Sequence, residues 1–231
     1  MSRLAIVAAM QEELAAVLAL MPDESPQVVG GRQFRTGHLH GQPVVAVLSR
    51  IGKVAAATTA TVLVERFRVS GIVFVGVAGG LGPGVDVGHV VVADAFLQHD
   101  LDASPIFPRH EVPLYGTDRF RTDPALSDRV AAAARRALPD AVLHRGLVVS
   151  GDRFVSTAAE SRALQQAVPQ ALAVEMEGAA VAQVCHDFGI PFAAVRTISD
   201  RADDDAHVDF ARFVRDVASR HGAAIVQALL A

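Results

Sequence analysis

A single cysteine, Cys185, is all the thiol chemistry that the 231 residues carry. One thiol cannot close an internal disulfide. Its place in the helix-like run from Ala179 to Cys185 reads as a small core hydrophobe, which suits a reducing compartment. Basic charge is short as well: 21 Lys and Arg against 25 Asp and Glu leave a net charge of −4. That balance excludes broad attachment to nucleic acid or to an anionic membrane, both of which want a basic face. No Pro/Gly/Ser-rich linker, low-complexity run or internal repeat divides the chain, so one domain over residues 1–231 is expected. No apolar stretch reaches the length of a membrane span, and the apolar start after Arg3 is interrupted by Gln11, Glu12 and Glu13, unlike a signal peptide. The expectation is a soluble, cytoplasmic protein. Metal-binding spacing is missing too. His99, Asp100 and Asp102 lie close together, as do Asp203, Asp204 and Asp205, but neither group has a zinc or EF-hand pattern, and both read as solvated loop acids. No metal and no cofactor is expected.

What is present is apolar surface: 51% of residues are hydrophobic and 20% charged, enough to bury a sizeable core. Apolar strand candidates recur at 3–9, 43–49, 71–78, 88–96, 141–149, 171–176 and 192–198. Helical patterns fall between several of them. Lys53 to Phe67 is rich in Ala, Thr, Val and Leu without Gly or Pro. Asp123-Pro124 opens a helix that stops at Pro139, Thr157-Ala158-Ala159-Glu160 has the form of a capping box, and a last helix spans roughly Asp209 to Leu230. Strands that follow one another without a helix, 33–39 with 43–49 and 71–78 with 88–96, indicate a mixed α/β sheet and not a purely alternating array. Residues 97–121, with Pro105, Pro108 and Pro113, form the largest irregular segment. The glycine run from Gly76 to Gly84 is no dinucleotide fingerprint, because no G-x-G-x-x-G leads into a helix and another strand follows at Gly88. These glycines instead suit a tight turn and close approach of backbone to a ligand.

Chemistry concentrates at three strand ends. Ala173-Val174-Glu175-Met176-Glu177-Gly178 places two carboxylates at the join between an apolar strand and an Ala-rich helix. Carboxylates are rarely buried without a partner, although helix capping alone would also account for this pair. The first strand closes in Met10-Gln11-Glu12-Glu13, and Phe192 to Ile198 finishes in Ser199-Asp200. Three strands that each deliver an acid at the carboxyl end exceed what capping predicts, and such ends are where open α/β sheets bind small molecules.

The same segments carry a resemblance. Ala-Met-x-Glu-Glu, Ser49-Arg50-Ile51-Gly52-Lys53-Val54, Ala78-Gly79-Gly80-Leu81, Val149-Ser150-Gly151-Asp152-x-Phe154, Val174-Glu175-Met176-Glu177 and Arg196-x-Ile198-Ser199-Asp200 occur in that order. Together they resemble the 5′-methylthioadenosine/S-adenosylhomocysteine nucleosidases of the purine nucleoside phosphorylase/uridine phosphorylase superfamily, from about residue 3 to about residue 228. The resemblance implies a three-layer α/β/α sandwich around a mixed, partly barrel-like sheet. It also implies a homodimer in which the 97–121 region forms the contact and lends residues to the neighbouring site.

The chemistry it implies is hydrolysis of an N-glycosidic bond in a purine nucleoside, with methylthioadenosine and S-adenosylhomocysteine as substrates and a role in methionine salvage. A departing purine must lose its negative charge, the ribosyl cation must be steadied, and a water must be aimed at C1′. Asp200, oriented by Ser199, is the candidate acid at purine N7. Glu177 would bind the ribose hydroxyls, with Met176 packed on the sugar. Glu175 reads as structural, pairing with an Arg. Glu12 and Glu13 compete from sequence alone for the water, and the family pattern selects Glu13. Arg196 would hold the same water or steer Glu13, against the plainer alternative of an ordinary salt bridge. Phe154 would stack on the base while the backbone of Val155 meets its edge, and Ala78 and Gly79 would approach the ribose. Met10, Ile51, Ile106 or Phe107, and Phe210 would form an apolar 5′ pocket. Val77 stands where relatives commonly carry Ser. Glu13 would repel phosphate and Val77 cannot donate to it, so water is the expected nucleophile. A futalosine hydrolase on the same fold, a phosphorylase and an inactive nucleoside binder are the alternatives.

Overall fold

Residues 3–202, 213, 217 and 219–231 are described by a computed structural model. Three parallel strands set the middle of its sheet: β1 (Leu4–Ala8) lies between β4 (Gln42–Leu48) and β5 (Gly71–Gly80). All three are runs of Val, Ile and Ala, as strands buried on both faces require. On one side β3 (Arg32–Leu39) and β2 (Ser25–Val29) extend the sheet antiparallel to its edge.

On the other side the sheet curls. β10 (Phe192–Asp200) runs parallel to β5 and antiparallel to β6 (Val90–Gln98). β6 pairs in parallel with β8 (Leu143–Ser150), β8 with β9 (Ala171–Glu175), and β9 returns antiparallel to Gly79 and Gly80 at the end of β5. These five strands form a closed ring, so the expected partly barrel-like mixed sheet is present. β5 is shared: its first half pairs with β1 and its last two residues with β9. Gly76, Gly79 and Gly80 are placed where that strand must bend.

Helices cover both faces. α2 (Lys53–Glu65) and α5 (Gly178–Phe188) pack Ala56, Ala60, Leu63, Val181 and Cys185 onto one side. α1 (Gln11–Leu18), α3 (Pro124–Ala137) and α6 (Ser219–Leu230) pack Leu14, Val17, Val130, Ile225 and Leu229 onto the other. The three-layer α/β/α expectation therefore holds. α4 (Ala158–Ala167) buries Leu164 in a third cluster with Leu97, Leu147 and Val149 of the ring strands.

Local chemistry explains the boundaries. Asp123 Oδ1 accepts from Leu126 N at 2.7 Å with Pro124 in the first turn of α3. Gly189, at φ 62°, ends α5 in the left-handed conformation. Gly178 is required for a different reason: a Cβ there would sit 2.1 Å from Phe96 Cε1, so only glycine lets α5 start this close to β6. Thr157 accepts from Glu160 N at 3.2 Å, but Glu160 returns its carboxylate to Ser156 N and not to the cap residue's own amide, so the expected capping box is half formed.

Segments 71–78 and 88–96, which follow one another in the chain, are separated in the sheet by β10, which pairs with both. β2 was not anticipated: Ser-Pro-Gln-Val-Val is a mostly exposed edge strand without an apolar alternation. The irregular 97–121 segment ends in a three-residue strand, β7 (Arg119–Arg121), paired with Ala95–Leu97, and the last helix is described only from Ser219.

Candidate active site

The carboxyl ends of β1, β5, β9 and β10 open into one cavity of about 330 Å³. Each contributes through the turn that follows it or through its own last residues. β1 supplies Ala9, Met10 and, from the first turn of α1, Glu13; β5 supplies Gly76, Val77, Ala78 and Gly79. β9 supplies Val174 and Glu175, followed by Met176 and Glu177 in the turn to α5, while β10 supplies Arg196, Ser199 and Asp200. Ile51 and Phe154 come from the loops after β4 and β8 and stand at the mouth, 58% and 41% exposed.

Of the two neighbours Glu12 and Glu13, it is Glu13 that turns inward. Its carboxyl is buried, whereas Glu12 is exposed. Glu13 Oε2 accepts from the amides of Ala9 and Met10 at 3.2 and 3.1 Å, while Oε1 is buried with no hydrogen-bond partner among the described residues. Burial, outweighing those two amides and the Arg196 charge, pushes its pKa up to about 7.

Glu177 Oε1 accepts from Gly52 N at 2.8 Å, across from the loop after β4. Burial, reinforced by the nearby Glu175 charge, pushes the Glu177 pKa up to about 8. Asp200 is 1% exposed; Oδ2 accepts from Ser199 Oγ and Oδ1 from Ala202 N, both at 2.8 Å. Gly79 leaves the room for it: a Cβ there would lie 2.9 Å from Asp200 Oδ1.

Arg196 is held by a charged partner and by two carbonyls. Its guanidinium gives Nη2 to Glu175 Oε2 at 2.8 Å and Nη1 to the carbonyls of Phe74 and Val195, and it stacks 4.2 Å from the centre of the Phe74 ring. It makes no hydrogen bond to Glu13. Arg196 thus forms a buried salt bridge with Glu175 and is the largest fully buried side chain among the described residues. Glu175 is saturated: besides Arg196 it accepts from Ser150 Oγ and from the amides of Glu177 and Gly178, and Ser150 Oγ accepts from Ala179 N. Arg196 still flanks the cavity. A side chain at Gly76 would come within 3.5 Å of Glu13 Oε1 and 3.6 Å of Arg196 Nη1, so the glycine keeps open the space that both face.

Val155 is buried and lines a small pocket adjoining the main one, beside Phe154, Met176 and Asp200. Phe210 lies outside the described residues, as do Asp203, Asp204 and Asp205. Ile106 and Phe107 do not line the cavity within this chain. Sequence reasoning missed Ser150 as the partner of Glu175 and Gly52 as the donor to Glu177; the signal for both was their place in short motifs where only other members had been given roles. Among the described residues, no three His, Cys, Asp or Glu side chains are grouped to hold a metal ion.

A family model of the phosphorylase superfamily matches residues 3–231. The chain belongs to that superfamily. Within it, the chain is similar to a 5′-methylthioadenosine/S-adenosylhomocysteine nucleosidase from Neisseria meningitidis, solved with methylthio-immucillin-A, at 33% identity, with 100% of this chain and 99% of that one covered and a TM-score of 0.94. The S. pneumoniae nucleosidase, solved with a transition-state inhibitor, is 34% identical over 99% of this chain and 98% of that one, with a TM-score of 0.89. Futalosine hydrolase of Helicobacter pylori matches as well, at 32% identity over 99% and 97% of the two chains and a TM-score of 0.92. This phosphorylase-superfamily chain therefore shares fold and near-full length with 5′-methylthioadenosine/S-adenosylhomocysteine nucleosidases and with a futalosine hydrolase.

Proposed function

We propose that the chain hydrolyses the N-glycosidic bond of 5′-methylthioadenosine and S-adenosylhomocysteine, releasing adenine and the 5-thioribose. The observation that carries this reading is the convergence of Glu13, Glu177 and Asp200, from three strand ends, on one cavity whose other walls, apart from Glu175, Arg196 and Ser199, are apolar or glycine. Each acid has a task that the chemistry demands. Asp200, shielded from water and held by Ser199, delivers a proton to purine N7 as the base departs. Glu177 takes the ribose hydroxyls in short charge-assisted bonds and steadies the cationic sugar. Glu13, with one oxygen fixed by two amides and the other free, takes the proton of the attacking water. Arg196, paired with Glu175, acts as a buried support for this wall, and its charge favours the ionised form of Glu13 without outweighing burial. Phe154 and Val155 serve the base, Met176 and the Ala78-Gly79 backbone the sugar, and Met10 and Ile51 the 5′ group, with Phe210 as a further member of that pocket.

Water as nucleophile is supported by what faces it: a carboxylate at Glu13 and the methyls of Val77 offer nothing to a phosphate ion. The near-equal likeness to futalosine hydrolase makes the 5′ group and the base the open part of the reading. One assay separates the cases: base release from methylthioadenosine, S-adenosylhomocysteine and futalosine in parallel, in phosphate-free buffer. Adenine from the thio-nucleosides is the expected result. Hypoxanthine from futalosine alone keeps the mechanism and replaces the substrate, and a strict need for phosphate overturns hydrolysis.

The reading includes one functional unit over the whole chain, supported by the single ten-stranded sheet and by the family match to residues 3–231. It also includes a homodimer in the cytoplasm. Val54, Ile106 and Leu114 present large apolar side chains at 78%, 82% and 91% exposure, around the start of α2 and the 97–121 segment. Light scattering should give twice the chain mass. Among the described residues, no helix is long and apolar enough to cross a membrane.

A further inference from the structure

Lys53 opens α2 directly after the β4 loop, Asp100 and Asp152 come from the loops after β6 and β8, and none of the three lines the cavity. Their polar groups form a closed ring. Asp100 Oδ1 accepts from Lys53 Nζ at 2.5 Å and Oδ2 from Asp152 N at 2.9 Å, while Asp152 Oδ1 accepts from Lys53 N at 2.7 Å. Lys53 and Asp100 side chains are 17% and 32% exposed, so the ring sits at the rim and not in the core. Burial acts to raise the Asp100 pKa, but the Lys53 ammonium and the Asp152 amide outweigh it and hold the carboxyl ionised.

Two of the tied loops carry site groups one or two residues away. Gly52, whose N–H holds Glu177 Oε1, directly precedes Lys53, and Phe154 follows Asp152 by two residues. Gly52 itself has φ +96°, and a Cβ there would lie 3.2 Å from Asp152 Oδ1, so the two loops touch at the point where the ring is tied. Loops are otherwise free to drift, and a displacement of about 1 Å in a binding group costs up to on the order of a hundredfold.

We propose that Asp100 is a positioning residue: by joining Lys53 to Asp152 it fixes the Gly52 amide against Glu177, and so sets the carboxylate that grips the ribose. This rests on the nucleosidase reading above. No loop that moves with substrate is required; the ring only keeps Glu177 aimed before substrate arrives.

A double-mutant cycle on binding tests it, with methylthio-immucillin-A as the probe and calorimetric Kd as the readout. In the wild-type background, Asp100→Ala should weaken Kd by about tenfold. In the Glu177→Gln background the same change should weaken it by less than about twofold, because the group being positioned is already disabled. Lys53→Met, which removes the Nζ donor to Asp100 Oδ1, should reproduce both results and decides the matter if Asp100→Ala does not fold. An equal loss in both backgrounds, or no loss in either, overturns the role. Wild-type protein that neither binds the probe nor releases base refutes the nucleosidase reading and this role with it, and so differs from failure of Asp100 alone.

Discussion

The unpartnered oxygen of Glu13 has a thermodynamic consequence that is independent of any substrate. Its carboxyl ionises near 4.5 when exposed and near 7 in the folded chain. Between those values the folded state holds a proton that the unfolded state has lost, so stability falls as pH rises and levels off above about 7. The shift of about 2.5 units corresponds to about 3 kcal/mol of stability lost across that window, at about 1.4 kcal/mol per unit. Glu13→Gln keeps the shape and an oxygen for the Ala9 and Met10 amides but cannot ionise. Urea denaturation of both proteins from about pH 4 to about pH 9 should show the variant gaining on wild type by about 3 kcal/mol with increasing pH, with nearly all of the gain complete by about pH 8. Removing the Glu13 charge also relieves Glu177, whose pKa it helps to raise, and this adds in the same direction. A stability difference constant to within about 0.5 kcal/mol over the whole range would falsify the placement of Glu13 in a desolvated site.

Turnover supplies the complementary checks. Asp200→Asn and Glu13→Gln should each lower kcat by at least about a hundredfold while circular dichroism shows the fold intact, and near-normal turnover in either removes that residue from the mechanism. Gly79→Ala drives a methyl toward Asp200 Oδ1 and should lower kcat more than it changes KM; an unchanged kcat would mean that Asp200 need not stay where it is. Glu175→Gln leaves the Arg196 charge buried without its counter-charge and should cost about 3–5 kcal/mol in denaturant unfolding. The same variant relieves Glu177 of a neighbouring negative charge, so the acid limb of kcat/KM should move to lower pH; a limb that stays in place separates Glu177 ionisation from activity.

How much of this was legible in the sequence depended on whether a residue's neighbours are near it in the chain. The central strands were readable because each is a run buried on both faces, and α3 because Asp123-Pro124 is a purely local signal. β2 and the half-formed capping box at Thr157 were not, since an edge strand needs no alternation and Glu160 had a competing amide one residue away. The ring closed by β10 between β5 and β6 involves strands more than a hundred residues apart, and nothing local announces it. The site divides the same way. Glu13, Glu177 and Asp200 stood out as acids at apolar strand ends, and that pattern survives folding because a strand end fixes where its next residues go.

Glu13 and Asp200 find their partners within a few residues, but those of Glu175 and Glu177 did not stand out, because they come from distant elements. Ser150 reaches Glu175 across 25 positions, Gly52 reaches Glu177 across 125, and Arg196 turns to Glu175 instead of Glu13. The last case shows the physical rule at work. A buried guanidinium takes the acceptor set that neutralises it most fully, and Glu175, already held by Ser150 and two amides, is preorganised as that acceptor. Had Arg196 paired with Glu13 instead, the carboxylate would be pulled toward its ionised form and would be a weaker base for the water. Leaving Glu13 with one unpaired oxygen and a pKa near 7 is the arrangement that general-base chemistry near neutral pH requires.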